Sequence, residues 1–222
     1  MGSEMCIRDS TEEGLYRYFS EVVQRVGDAR LKIYLYHIPP VAMVGVTPKL
    51  VERLLKAYPN TIAGMKDSSG DWNNTKTFLN AFAKNGFDVF VGSESFLLAN
   101  MRNGGVGTIS ATANVNPAAI HKLYAKLDPL RQRTLHEDLD PPSREAAARQ
   151  EALQAQLNVV REVFSSRKFP SMIAALKEAI AIYRNDPEWT RVRPPLVELT
   201  KKQAKLLAAE LKTIGFAMPD IA

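Results

Sequence analysis

Four short runs of apolar, β-prone residues recur along the first part of the chain, at 32–37, 61–66, 88–91 and 107–110, and each is followed by a stretch with helical spacing. Parallel strands are rejoined through crossover helices that cover the sheet, so strands apolar throughout and alternating with helices imply parallel pairing. The pattern predicts four βα units with both sheet faces covered. An amphipathic helix precedes them at 11–26, with Leu15, Tyr18, Phe19, Val22, Val23 and Val26 at helical spacing and Gly27 as its stop. Thr47 and Pro48 suit the N-cap and first position of the next helix, which runs to about 58. Further helices are expected at 71–84, with Trp72, Thr75, Phe78, Leu79 and Phe82 inward, and at 95–102 and 117–127. Beyond 128 the alternation stops. The remainder reads as helices at 143–164, 169–183 and 201–214, the last capped by Thr200 and ended by Gly215, with Pro- and charge-rich connections at 137–142 and 185–195.

Composition narrows the function classes. Of 222 residues 45% are hydrophobic and 24% charged, the balance of an ordinary globular protein. The single cysteine, Cys6, rules out an internal disulfide framework and fits a reducing, cytoplasmic compartment. No run approaches the roughly 18 to 20 apolar residues of a membrane span. The net charge of +5 comes from basic residues scattered among acids, which favours a solvated surface over a nucleic-acid partner. His37, His121 and His136 lack metal-ligand spacing, so no metal is expected. Gly104-Gly105-Val106-Gly107 precedes a strand instead of opening a helix, unlike a dinucleotide fingerprint.

The chemistry-bearing candidates sit at strand ends. Lys66 closes an otherwise apolar strand, Ile62-Ala63-Gly64-Met65. In parallel α/β folds the C-terminal strand ends form the active-site face, where burial lowers a lysine pKa toward what imine chemistry needs. The competing reading is a lysine that reaches out to solvent. Tyr36 holds the matching place on the preceding strand, either shuttling a proton or filling the barrel mouth. Gly92-Ser93-Glu94 and Gly107-Thr108-Ile109-Ser110 close the next two strands, with glycines that let a backbone approach a small ligand. Tyr36, Lys66, Glu94 and Ser110 would thus lie at four successive strand ends.

These segments resemble the dihydrodipicolinate synthase and N-acetylneuraminate lyase family of pyruvate-dependent Schiff-base aldolases. Tyr36-His37-Ile38-Pro39-Pro40 is similar to the family's Tyr-Asn-x-Pro motif, with His37 in place of asparagine, and Gly64-Met65-Lys66-Asp67-Ser68-Ser69-Gly70 to its lysine motif. The segments 92–95 and 104–117 resemble its last two strand ends, 12–19 the helix before the tyrosine strand, and 191–200 the turn into its final helix. The resemblance implies the C-terminal half of a (β/α)8 barrel at 11–127 and a helical C-terminal domain at 128–222. It implies Lys66 as Schiff-base nucleophile, Tyr36 as proton relay, and Ile109 and Ser110 lining a 2-keto acid pocket, with Gly92, Glu94 and His37 as further substrate contacts. It implies no cofactor, a pyruvate-type substrate, and a homo-oligomer, tetrameric in the full-length family. Val41 occupies the position at which synthases place an arginine for aspartate semialdehyde, which points to the lyase branch. The family's first four βα units, including its Thr-Thr-Gly-Glu loop, have no counterpart here. Residues 1–10 read as a tag or scar before a truncated, inactive segment.

Overall fold

The computed structural model describes residues 10–134 and 143–218. Cys6, His136, the connection at 137–142 and nearly all of the 1–10 segment lie outside them. The described residues divide into two compact units, 10–109 with 127–134, and 110–126 with 143–218. The units part between Ile109 and Ser110, whereas the sequence changes character after 127.

In the first unit, α1 (Glu12–Val26) starts where the Thr11 side chain accepts from Gly14 N and stops at Gly27, whose φ of 61° suits a residue without Cβ. It leads into β1 (Ile33–His37) and the single turn α2 (Pro39–Ala42). Then follow α3 (Pro48–Ala57), with Thr47 as cap, and β2 (Ile62–Asp67). After β2 come α4 (Trp72–Phe82), capped by Asp71, β3 (Asp88–Val91), α5 (Leu97–Arg102) and β4 (Gly107–Thr108). The strands pair in chain order, all parallel. Two boundaries differ from the pattern reading. Pro39-Pro40, read as a loop, opens α2, since proline is tolerated in a helix's first turn. β4 ends two residues early because the Ser110 hydroxyl caps the following 3-10 turn, Ala111–Asn114.

One expectation is corrected: among the described residues, helices cover one face of this sheet, not both. Leu35, Met65 and Val89 form an in-register row beneath α3 and α4, each at most 1% exposed. The opposite row, Tyr36, Lys66, Phe90 and Gly107, carries Tyr36 at 51% exposure. Alternation of side chains along each strand sends successive residues to opposite faces, and both faces are apolar enough that composition alone hides which is covered. Gly64 is fixed by this open face. The Tyr34 ring crosses it to hydrogen-bond Asp88 Oδ2 at 2.8 Å, and a Cβ on Gly64 would stand 2.3 Å from the Asp88 carbonyl oxygen. The α1 stripe is narrower than expected. Leu15, Tyr16 and Phe19 pack on the core, while Tyr18 and Val26 are exposed.

Helix α6 (Pro117–Thr134) starts in the second unit and has its last residues, from 127, in the first; the second unit continues with α7 (Arg144–Ser165), α8 (Met172–Arg184) and α9 (Lys201–Thr213). The core of this unit gathers Phe164, Phe169, Leu176, Ala179, Leu207 and Leu211. α8 begins three residues later than the pattern suggests, because Ser171 caps it and Phe169 is spent in the core. Thr200 caps α9 as expected and completes a reciprocal capping box with Gln203.

Candidate active site

Parallel pairing places Tyr36 directly opposite Lys66. Lys66 Nζ donates to the Tyr36 hydroxyl at 3.0 Å and stands 4.2 Å from the ring centroid, so hydrogen bond and cation–π attraction act together. Burial acts to raise the Tyr36 phenol, but the Lys66 hydrogen bond, the Ser68 hydroxyl and the ammonium charge outweigh it and bring the phenol below its ordinary value. An amine and an acidified phenol in direct contact on an open sheet face form a nucleophile beside a group that can take and return its proton.

The other sequence-selected residues fall into different places. Gly92 lies one residue past β3 and donates to the Asp67 carbonyl at 2.7 Å. The space its missing Cβ leaves is filled by Ser68, whose Oγ would be 2.0 Å from such an atom. Glu94 is buried at 1% exposure in the 3-10 turn Glu94–Phe96. Ile109 extends β4 by donating to the Val91 carbonyl at 3.0 Å and is 48% exposed. Ser110 opens the second unit, buried, its hydroxyl 2.8 Å from that of Thr112.

His37 does not join Tyr36 and Lys66. One residue on from Tyr36, it faces the helices, 7% exposed, with Nδ1 accepting from Val46 N at 2.9 Å and its ring 6.1 Å from Phe78. The strand period of two was the available signal. Burial lowers the His37 imidazole, against the opposing pull of the Asp67 carboxylate, so that its pKa lies below the ordinary value. The sign follows directly: a histidine kept neutral in the fold costs nothing above its unfolded pKa of about 6.5, and withdraws stability as pH falls below it toward the folded value. His37→Asn should therefore lose less melting temperature than the parent between neutral and mildly acid pH, and equal losses would remove the argument.

Asp67, which the motif supplied without a role, is 3% exposed and anchors the turn after β2. Its Oδ1 accepts from Ser69 N, and its Oδ2 from Asn74 Nδ2 and Thr75 Oγ1 at 3.0 and 2.6 Å. Ser68 was also missed as a separate residue; its contacts are tertiary and leave no mark on local pattern. Among the described residues no cluster of three His, Cys, Asp or Glu side chains is placed to hold a metal ion, and no helix is long and apolar enough to cross a membrane.

A parallel βα sheet with a lysine and a tyrosine in register at the C-terminal ends of adjacent strands defines an α/β protein with a candidate site at its strand ends. The chain belongs to the dihydrodipicolinate synthetase family, whose model matches residues 8–214. It is 28% identical over 209 residues to an uncharacterized DapA-like lyase of Chloroflexus aurantiacus, covering 94% of this chain and 62% of that protein. It is 47% identical over 116 residues to a 4-hydroxy-tetrahydrodipicolinate synthase of Thermus thermophilus, covering 52% of this chain and 37% of that protein. The crystal structure of dihydrodipicolinate synthase from Agrobacterium tumefaciens superposes with a TM-score of 0.68 at 27% identity, covering 93% of this chain and 62% of that one. The chain thus spans less than two thirds of the length of these relatives.

Proposed function

We propose that this chain carries the nucleophile and proton relay of a Schiff-base lyase that makes or breaks a carbon–carbon bond between pyruvate and an aldehyde. The observation that carries the reading is the 3.0 Å contact between Lys66 Nζ and the Tyr36 hydroxyl on the open face of the sheet. Lys66 attacks the keto carbon, and loss of water gives an iminium that withdraws electrons from the neighbouring bond. In cleavage, the hydroxyl of the departing carbon gives up its proton, the C–C bond breaks to aldehyde and enamine, and protonation and hydrolysis of the enamine release pyruvate. Tyr36, beside the nitrogen, moves these protons. The parts assigned by resemblance to Ile109 and Glu94 in holding the keto acid belong to the same proposal, as do a cytoplasmic location and homo-oligomeric assembly.

The fold imposes a condition. A closed barrel of this type has eight strands, and an open parallel sheet leaves an apolar inner face and two edges uncovered. Tyr34 and Tyr36 lie on that face, 46% and 51% exposed. The reading therefore includes that the 222-residue chain alone is inactive, and that a complete barrel carrying this segment is active. Borohydride reduction in the presence of pyruvate tests both: one three-carbon unit should appear on the Lys66 peptide of the complete barrel, with no pyruvate released from 2-keto-3-deoxy acids by the chain alone. A complete barrel that takes up no label would end the reading.

The Thermus similarity favours a second reading, a synthase that condenses pyruvate with aspartate semialdehyde. Val41 separates the two. It sits in α2 just past β1, 74% exposed, and offers an aspartate semialdehyde carboxylate nothing to pair with. Losing one charge-assisted bidentate contact costs on the order of 2 kcal/mol or more. Aspartate semialdehyde should therefore be a poor co-substrate; condensation as efficient as the best cleavage reaction would establish the synthase instead.

A further inference from the structure

We propose that Tyr34 is a positioning residue: by lying across Gly64 and occupying the Asp88 carboxylate, it keeps the Lys66 amine on the Tyr36 hydroxyl. For its catalytic meaning the inference rests on the reading of Lys66 and Tyr36 above. Its basis in the sheet is separate from that reading.

The open face of the sheet is built in rows. The reactive row is Tyr36, Lys66 and Phe90, one residue from each of three adjacent strands. The row beneath it, toward the strand starts, is Tyr34, Gly64 and Asp88. Asp88 stands diagonally from Lys66, one strand over and two residues back. A strand spacing of about 4.8 Å and a rise of about 3.3 Å per residue put their Cα atoms roughly 8 Å apart, within the combined reach of a lysine and an aspartate. An ammonium and a carboxylate so placed attract each other. Lys66 nevertheless leans the other way, toward β1, with Nζ 3.0 Å from the Tyr36 hydroxyl.

Tyr34 accounts for the difference. The space that Gly64 leaves is taken: a Cβ there would stand 2.8 Å from Tyr34 Cε1 and 2.7 Å from the Asp88 Cβ. The ring thus crosses β2 in the row under Lys66, and its hydroxyl donates to Asp88 Oδ2 at 2.8 Å. The Phe90 ring meets it edge to face, with 5.8 Å between centroids. The hydrogen bond takes up one carboxylate oxygen, and the ring fills the gap over Gly64 through which the lysine chain would have to descend. The chemical consequence concerns the amine. An ammonium tied to a carboxylate is no nucleophile, whereas one on Tyr36 has beside it a group able to take its proton.

Tyr34→Phe is the test. It removes one hydroxyl from a side chain 46% exposed, so the core beneath α3 and α4 is untouched. The readout in the 222-residue chain is the ultraviolet titration of Tyr36, obtained in each background by subtracting the matching Tyr36→Phe variant. Lys66 helps to hold that phenol below its ordinary value, so the titration reports whether the amine is present. In Tyr34→Phe the freed carboxylate should draw Lys66 down, and the Tyr36 component should move to higher pH by on the order of one unit, the scale of one neighbouring charge. Tyr34→Phe/Asp88→Asn should titrate with the parent, because the amide carries no charge to draw the lysine. Lys32 and Lys56 line the same cleft as Tyr34 and Asp88. A Tyr36 component unmoved in Tyr34→Phe, as it would be if either of them took the carboxylate, overturns the inference. So does a shift that persists in the double variant. Pyruvate trapping on Lys66 of the complete barrel is scored separately. It should slow in Tyr34→Phe and recover in the double variant, and trapping at the parent rate in Tyr34→Phe likewise overturns the inference. A parent barrel that takes no label would remove the catalytic meaning, while a titration shift reversed by Asp88→Asn would still establish that Tyr34 places the amine.

Discussion

Lys66→Ala in a complete barrel carrying this segment should abolish the pyruvate adduct trapped by borohydride, with no second lysine taking it up. The reason is geometric. Lys66 is paired in register with Tyr36, and its amine already touches the phenol at 3.0 Å. Three other basic side chains of the first unit are held by different partners. Lys49 lies 3.6 Å from Glu12, Arg53 is 2.9 Å from Glu13, and Lys32 donates to the Asn60 carbonyl. Lys66→Arg is the sharper variant. A guanidinium preserves the charge and could preserve the contact with the phenol ring, yet it stays protonated at any working pH and cannot attack a carbonyl. Loss of label in both variants identifies the amine as the reactive group, and label that survives Lys66→Ala would assign the chemistry to another residue. The expected effect is complete loss, because no neighbouring group can substitute for a covalent step.

Tyr36→Phe should lower turnover by roughly 10² or more in the same background, the usual scale for a lost proton-transfer group. The substitution keeps the ring, and with it the 4.2 Å cation–π contact with Lys66, so it separates packing from proton chemistry. It removes the hydroxyl whose ionisation Lys66 and Ser68 favour. Turnover is measured with a 2-keto acid substrate and imine formation, separately, by the rate of borohydride trapping. A phenylalanine variant within about threefold of the parent would show that the phenol only fills space.

The elements were legible in the sequence because each announces itself locally. Strand cores at 62–65 and 88–91, the caps Thr47 and Thr200, and the stop at Gly27 need no knowledge of the rest of the chain. The alignment of Tyr36 with Lys66 was legible too, because two parallel strands ending in chemically distinctive residues suggest that the residues meet. What escaped was decided between elements. Which face of the sheet is covered cannot be read from strands that are apolar on both, and His37 was grouped with Tyr36 although adjacent residues on a strand point apart. Gly92 looked like room for a ligand, but the room is taken by Ser68. The shortened β4 reflects competition between a side-chain cap at Ser110 and one more rung of the ladder, a contest that propensity does not decide.

Tyr36 and Lys66 are neighbours because their strands are hydrogen-bonded in register, so their separation is set by the sheet's own repeat of about 4.8 Å and not by the length of either following loop. The turns after β1, β2 and β3 can therefore be lengthened, trimmed or exchanged while the reactive pair keeps its geometry. On the function proposed above, the bond-making chemistry and the choice of partner molecule are inherited separately in such a scaffold. New substrates can be explored by altering the rim, with the reactive centre carried through unchanged.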